Sequence, residues 1–264
     1  MHIICDTSGN LAFYAVDDTV ALYAAPINGA KVFSSNHQLM QNGDSLKAQG
    51  WYNEIIIVPF PESDSLYYVF TVGVTSISGF HYSIVDLSLN GGLGAVTQKN
   101  IQLQSFPNDD CLNAIKHGNG RDWWVFFRRW NPSSTIANNE FHSYLITPSG
   151  ITNYTIKYVG SGSWTGLGKL TFSKQGDKLA FTSYAGLLEI YDFDRCTGII
   201  SNPVNVFQEV TMPPANRFWG CEFSPNGKVL YVTISDQTSY LFQFDLTAAN
   251  IAASIDTLWV TSYP

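Results

Sequence analysis

His117 is the residue whose type and setting most suggest chemistry. It lies in AIKHGNG (Ala114 to Gly120), and Arg128 and Arg129 follow at the end of the next apolar stretch. A histidine close to a guanidinium is suited to binding or protonating an anionic substrate. The competing reading is that His117 hydrogen-bonds the GNG turn and orders it. A second set is aromatic: Trp51, Tyr52, Trp130, Trp164 and Trp219, with Phe218 and Arg217 beside the last. Rings of this kind stack on sugars or peptide side chains, and they serve equally well as wedges between packed sheets. The acidic pairs Asp17/Asp18 and Asp109/Asp110 accompany them.

Recognisable catalytic motifs are missing. There is no HExxH, no GxSxG and no Walker-type phosphate loop. GSGSWTGLG (Gly160 to Gly168) lacks the spacing of a dinucleotide fingerprint and reads as a connection between units. DTSGN and SPNG have too few carboxylates to hold a hard cation. The sequence therefore points to no catalytic residue, no metal ligand set and no cofactor.

The elements that must position these side chains repeat. A tight turn falls at Gly9, Ser63, Gly120, Gly176 and Gly227, at intervals of 54, 57, 56 and 51 residues. Around each turn lie short runs rich in Val, Ile, Thr, Tyr and Phe, bounded by Gly, Pro, Asn or Asp. The second repeat runs NEIIIVPF, SLYYVFTVG, FHYSIVDLSL and VTQKNIQLQ. The first runs HIIC, LAFYAV, TVALYAAP and KVFSS, the last taken as its outer strand. Four strands per unit at this period predict β-propeller blades. The fold class is all-β, with about five four-stranded antiparallel blades over residues 1–50, 51–106, 107–162, 163–213 and 214–264. TAANIAASI (Thr247 to Ile255) allows one helical turn at most.

Topology then sorts the candidates. The connections before each blade and the loops between its second and third strands share one face. Trp51, Tyr52, Trp130, Trp164, Arg217 and Trp219 fall there. His117 belongs to the hairpin face opposite, which separates it from Arg129. A channel lined by backbone and first-strand residues such as Ile55, Ile57, Leu112, Leu170 and Phe223 would favour a binding module, whereas three or more of His, Asp, Glu and Arg converging there would favour an enzyme. Trp123 and Trp124, adjacent in a strand, must point to opposite faces of their sheet.

Composition bounds the partners. Apolar residues make up 45% and charged residues 13%, so the chain can bury a large core. A net charge of −7 with 14 Lys plus Arg leaves no basic footprint and argues against nucleic acid. No apolar run reaches the roughly 18 residues of a membrane span, so no membrane insertion is expected. HIIC reads as a strand, not as part of a leader. Cys5, Cys111, Cys196 and Cys221 have no metal-ligand spacing and read as small buried hydrophobes.

Several segments carry a resemblance: NHQLMQNGDSL (Asn36 to Leu46), YSIVDLSLNGGLGAVTQKN (Tyr82 to Asn100), AIKHGNGRDWWV (Ala114 to Val125), YDFDRCTGIISNPV (Tyr191 to Val204) and GCEFSPNGKVLYVT (Gly220 to Thr233). In this order they resemble the WD40-like β-propellers of secreted or surface proteins of Bacteroidetes-type bacteria, which precede adhesin-like modules and a sorting domain. The resemblance implies an extracellular or cell-surface location and a ring of about seven blades. Five blades then read as part of a longer protein, with a closed five-bladed ring as the alternative. An open arc would leave Phe13, Tyr14, Phe242 and Phe244 partly exposed. Two functions follow: a non-catalytic interaction module holding a protein or carbohydrate ligand on one rim, or a propeller enzyme, a lactonase-like hydrolase or lyase, working at the channel mouth.

Overall fold

The computed structural model describes residues 1–17, 29–48, 53–74, 79–130, 137–163, 166–208 and 217–262. It is all β apart from two single turns of 3-10 helix, at Asn90–Gly92 and Ala252–Ser254. Nineteen strands among the described residues form five antiparallel sheets, the blades of a β-propeller. The first blade holds β1 (His2–Cys5), β2 (Leu11–Asp17) and β3 (Ala30–Ser34). The second holds β4 (Ile55–Pro59), β5 (Leu66–Gly73), β6 (Gly79–Asp86) and β7 (Ala95–Gln104). The third holds β8 (Asn113–Lys116), β9 (Trp123–Arg128), β10 (Asn138–Thr147) and β11 (Gly150–Ser163). The fourth holds β12 (Gly168–Phe172), β13 (Lys178–Ser183), β14 (Leu187–Asp194) and β15 (Ile199–Gln208). The fifth holds β16 (Phe218–Phe223), β17 (Val229–Ile234), β18 (Thr238–Asp245) and β19 (Asp256–Ser262). In each blade, strands adjacent in sequence are adjacent in the sheet.

The turn residues explain the hairpins. Gly9, Gly120, Gly176 and Gly227 all have φ between 69° and 83°, the left-handed conformation glycine adopts without steric cost. The second blade has no glycine there, and Glu62 takes the left-handed position at φ 63°.

The first blade departs from expectation. KVFSS forms β3, the third strand, and pairs with β2. TVALYAAP falls wholly outside the described residues. The outer position is filled by the irregular segment 39–46, which bridges β3 at Phe33–Leu39 and Ala30–Leu46. Left-handed Asn42 and Ser45 break its pleat, so no regular fourth strand forms. The GSGS of the glycine-rich segment is likewise not connection but the end of the long β11.

Side-chain alternation places four apolar clusters, one between each pair of consecutive blades. Ile57, Leu112, Leu170 and Phe223 are buried in these clusters and Ile55 packs against the first, so they do not line the channel. Phe13 and Phe244 are also fully buried, because their faces look toward neighbouring blades. Tyr14 and Phe242 are half-buried. The exposed large apolar residues of the last blade among the described residues are Ile255, just before its outer strand, and Leu258, Trp259 and Val260 on that strand. Cys111 and Cys221 are buried, whereas Cys5 and Cys196 are exposed at a strand end and in a turn.

Trp123 and Trp124 do divide between two clusters. Trp124 is 5% exposed in the cluster between blades three and four, and its Nε1 donates to the Arg195 carbonyl at 2.9 Å. Trp123 packs half-buried toward blade two, with the Lys116 ammonium 5.5 Å from its ring centroid. Trp124→Ala should therefore cost about 3–5 kcal/mol and Trp123→Ala roughly 1–2 kcal/mol in urea unfolding. Equal losses at the two positions would show that the strand faces are misassigned.

Candidate functional site

Inner-strand side chains that do not enter the clusters turn toward the axis. Lys169 Nζ donates to Asn53 Oδ1 at 3.0 Å, joining blade four to blade two. These blades are not neighbours, so the bond crosses the channel. The Asn53 carbonyl accepts from the Leu112 amide at 3.0 Å, and its own amide donates to Asp110 Oδ1. Three blades are thereby tied at the mouth formed by the blade-to-blade connections.

Behind this tie lies a buried charged network. The Arg128 side chain is fully buried between Phe141 and Phe181, with its guanidinium carbon 4.6 and 4.1 Å from their ring centroids. Nη2 donates to the Asn138 carbonyl at 2.5 Å, and Nε lies 3.7 Å from Asp109 Oδ2. Burial pushes the Asp109 carboxyl up to about 7, with neighbouring Asp110 adding to the rise and Arg128 opposing it. Asp109 Oδ1 and Arg128 Nη1 are buried without hydrogen-bond partners among the described residues. Deeper in the blade, Tyr191 donates to Glu189, whose Oε2 also accepts from the Ser161 amide at 2.9 Å. His142 is held between Tyr154 at 2.6 Å and Glu140 at 3.2 Å, and burial lowers it to about 4, so it is neutral at pH 7.

Of the rim residues expected from sequence, Trp51, Tyr52 and Trp164 lie outside the described residues. Trp130 is half-buried, and its ring fills the space a Cβ on Gly166 would need, 2.9 Å from that position. Trp219 packs edge-on against Tyr184, with centroids 5.5 Å apart, and the Arg217 guanidinium sits 5.3 Å from the same tyrosine ring. Arg217 also reaches Asp236 at 3.5 Å. Trp130 and Trp219 thus make packing contacts with their neighbours.

The hairpin face is different. His117 orders its own turn: Nδ1 accepts from the Asn119 amide at 3.0 Å, and the His117 amide donates to the Asp122 carbonyl at 2.8 Å. Arg129 instead sits 3.8 Å from Glu140 and over the Phe106 ring. The structure therefore does not bring His117 and Arg129 together. Beside this turn opens a cavity of about 410 Å³ between blades three, four and five. Lys116, Lys174 and Arg195 line it, with Glu222, Thr171 and Asn113 on the channel side. Thr171 Oγ1 donates to Glu222 Oε2 at 3.3 Å across the gap between blades four and five. No motif or spacing in the sequence marks this group. Its members come from three blades, and the one signal they carried was position: Lys174 and Arg195 occupy two turns that the meander places on the same face.

No protein-family model matches the chain, and no curated protein matches it in sequence. Solved structures do resemble it. The periplasmic gluconolactonase of Pseudomonas aeruginosa aligns with 99% of this chain and 71% of its own at 12% identity, TM-score 0.54. A luciferin-regenerating enzyme aligns with 96% of this chain and 73% of its own at 14% identity, TM-score 0.50. The Dos1 propeller aligns with 100% of this chain and 62% of its own at 10% identity, TM-score 0.53. At these identities the likeness establishes the propeller fold and nothing finer.

The Asp109 assignment has a pH consequence. A carboxyl whose folded pKa lies near 7, against 3.8 unfolded, binds its proton more tightly in the folded chain. Its contribution to stability is largest below about pH 4, declines as pH rises toward 7 and is level above that. The stability difference between the parent chain and Asp109→Asn should therefore shift by up to about 4 kcal/mol between pH 4 and 8, against the parent. Urea unfolding of both proteins across that range checks this; a constant difference would mean that Asp109 stays ionised beside Arg128.

Proposed function

We propose that this chain is a non-catalytic binding module, a propeller that holds a protein or carbohydrate ligand at one mouth. The observation that carries this reading is how its titratable groups are distributed. Asp109, Arg128, His142 and Glu189 are buried in contacts that join strands and blades. His117 is committed to its hairpin. Around the hairpin-face cavity the exposed charged side chains are three cations and Glu222, with Thr171 and Asn113 beside them, a set suited to holding a ligand. The resemblance to propellers of bacterial surface proteins supports an extracellular or cell-surface setting.

A second reading keeps a specific observation in its favour. Asp109 has a carboxyl raised to about 7, Arg128 lies beside it, and both have unpartnered atoms. A general acid or base poised near neutrality is what a lactonase-like hydrolase or lyase needs. The periplasmic gluconolactonase and the luciferin-regenerating enzyme share the fold. In this structure the pair is closed off from solvent, 0–2% exposed, which favours the binding reading.

The two readings part in one assay. Purified protein is mixed with a panel of sugar lactones in a pH-stat and, separately, passed over a glycan and peptide array. The binding reading expects acid release no faster than buffer and retention of at least one array ligand. Acid release that Asp109→Asn abolishes would establish the enzyme instead.

A further inference from the structure

The cavity at the hairpin face has a divided chemistry. Its outer part is cationic. Lys116, Lys174 and Arg195 are exposed, and none of the three makes an ion pair among the described residues. Three unpaired cations around one opening stand out in a chain of net charge −7 with 14 Lys plus Arg. They are also held in place. Gly118 donates its amide to the Arg195 carbonyl at 3.0 Å, which locks the turn of blade four against that of blade three. The Arg195 stem lies over Gly176, its Cδ 2.8 Å from where a Cβ would stand. Gly176 is left-handed at φ 73° and has no Cβ, so the long side chain can lie flat across it. Lys116 is steadied over the Trp123 ring.

The inner part is neutral to acidic. Glu222 and the Thr171 hydroxyl face each other there, with the amide of Asn113 alongside. A bare dianion such as phosphate would find the cations at the mouth but be kept out of the inner part by the Glu222 carboxylate. A peptide dense in carboxylates would meet the same repulsion. A ligand with a hydroxyl-rich portion and one or two carboxylates satisfies both parts: its hydroxyls bond to Glu222 and Thr171, and its carboxylates face the cations at the mouth. A volume of about 410 Å³ lies within the range of small-molecule sites and suits one or two sugar rings.

We propose that the hairpin-face cavity between blades three, four and five binds an acidic saccharide, a uronic acid unit at a chain end or within a short oligomer. This rests on the binding-module reading and names the ligand class for that site. Lys174 and Arg195 hold the carboxylate; Glu222 and Thr171 read the ring hydroxyls.

The test is titration calorimetry of the full chain at low salt with digalacturonate and with its neutral counterpart galactobiose. The expected result is measurable binding of digalacturonate that weakens as salt is added, with galactobiose at least about tenfold weaker. A Lys174→Glu/Arg195→Glu double variant, both positions exposed and outside the blade cores, should lose at least about tenfold in affinity with unchanged thermal unfolding. Glu222→Gln separates the saccharide from a plain anion. It should weaken digalacturonate while strengthening inorganic phosphate. Equal affinity for the acidic and neutral sugars would overturn the proposal, as would tighter binding of phosphate or triglutamate than of digalacturonate. Retention of other array ligands, unaffected by the double variant, would sink this site while leaving the binding-module reading standing. Lactone turnover would sink that reading itself.

Discussion

Each blade of this chain is a thin sheet that cannot bury its own apolar faces. A sheet of four short strands has one layer of side chains on each side, so a stable core exists only where two blades press together. The four clusters between consecutive blades are that core, and the two flanking blade three are strongly aromatic: Phe80 on Phe127 at 4.4 Å, and Phe126 edge-on to Phe193 at 5.5 Å. Blade-to-blade packing therefore holds the inner strands at fixed spacing around the axis. Every other feature, from the crossing Lys169–Asn53 bond to the shape of the hairpin-face cavity, depends on that spacing.

The same constraint sorts the charged groups. A charge that falls between blades must be paired or lose its proton preference, and both outcomes occur. Arg128 pairs with Asp109, is covered by two phenylalanine rings and bonds the Asn138 carbonyl, while the Asp109 carboxyl is pushed up to about 7. Breaking such a buried pair on one side leaves the other charge stranded, so these residues act on stability before anything else. Charges in turns face no such demand. Lys174 and Arg195 can remain unpaired because solvent pays their hydration, and the locked turns still fix where they stand. Scaffold electrostatics and ligand electrostatics thus separate by depth, buried groups serving the first and turn residues the second.

How far this was legible in the sequence follows from which physics each feature uses. The blades were readable because strand periodicity and turn glycines are local: four of the five turns show a left-handed glycine where the repeat places it. The opposite roles of Trp123 and Trp124 follow from alternation alone. Register was not readable. Which inner-strand side chains face the core and which the axis depends on packing between blades: Leu170 fills the core, and Thr171 faces the neighbouring inner strand. The first blade failed for a related reason. Its outer segment, with left-handed Asn42 and Ser45, has no regular strand pattern to detect. The cavity was invisible because Lys116, Thr171, Arg195 and Glu222 are joined only by the ring, and no spacing along the chain announces them.

If blade-to-blade burial is what holds this structure, protection should be graded across the blades. Native-state hydrogen exchange, read amide by amide, measures it directly. The middle strands of the interior blades, β9 and β13, are buried on both faces and should exchange slowest, near the rate set by global unfolding. β1, with half of its residues exposed, and β19, with six of seven exposed, should exchange fastest among the paired strands. Amides of β1 or β19 exchanging as slowly as those of β9 would contradict the account, because stability would then reside within each sheet and not between sheets.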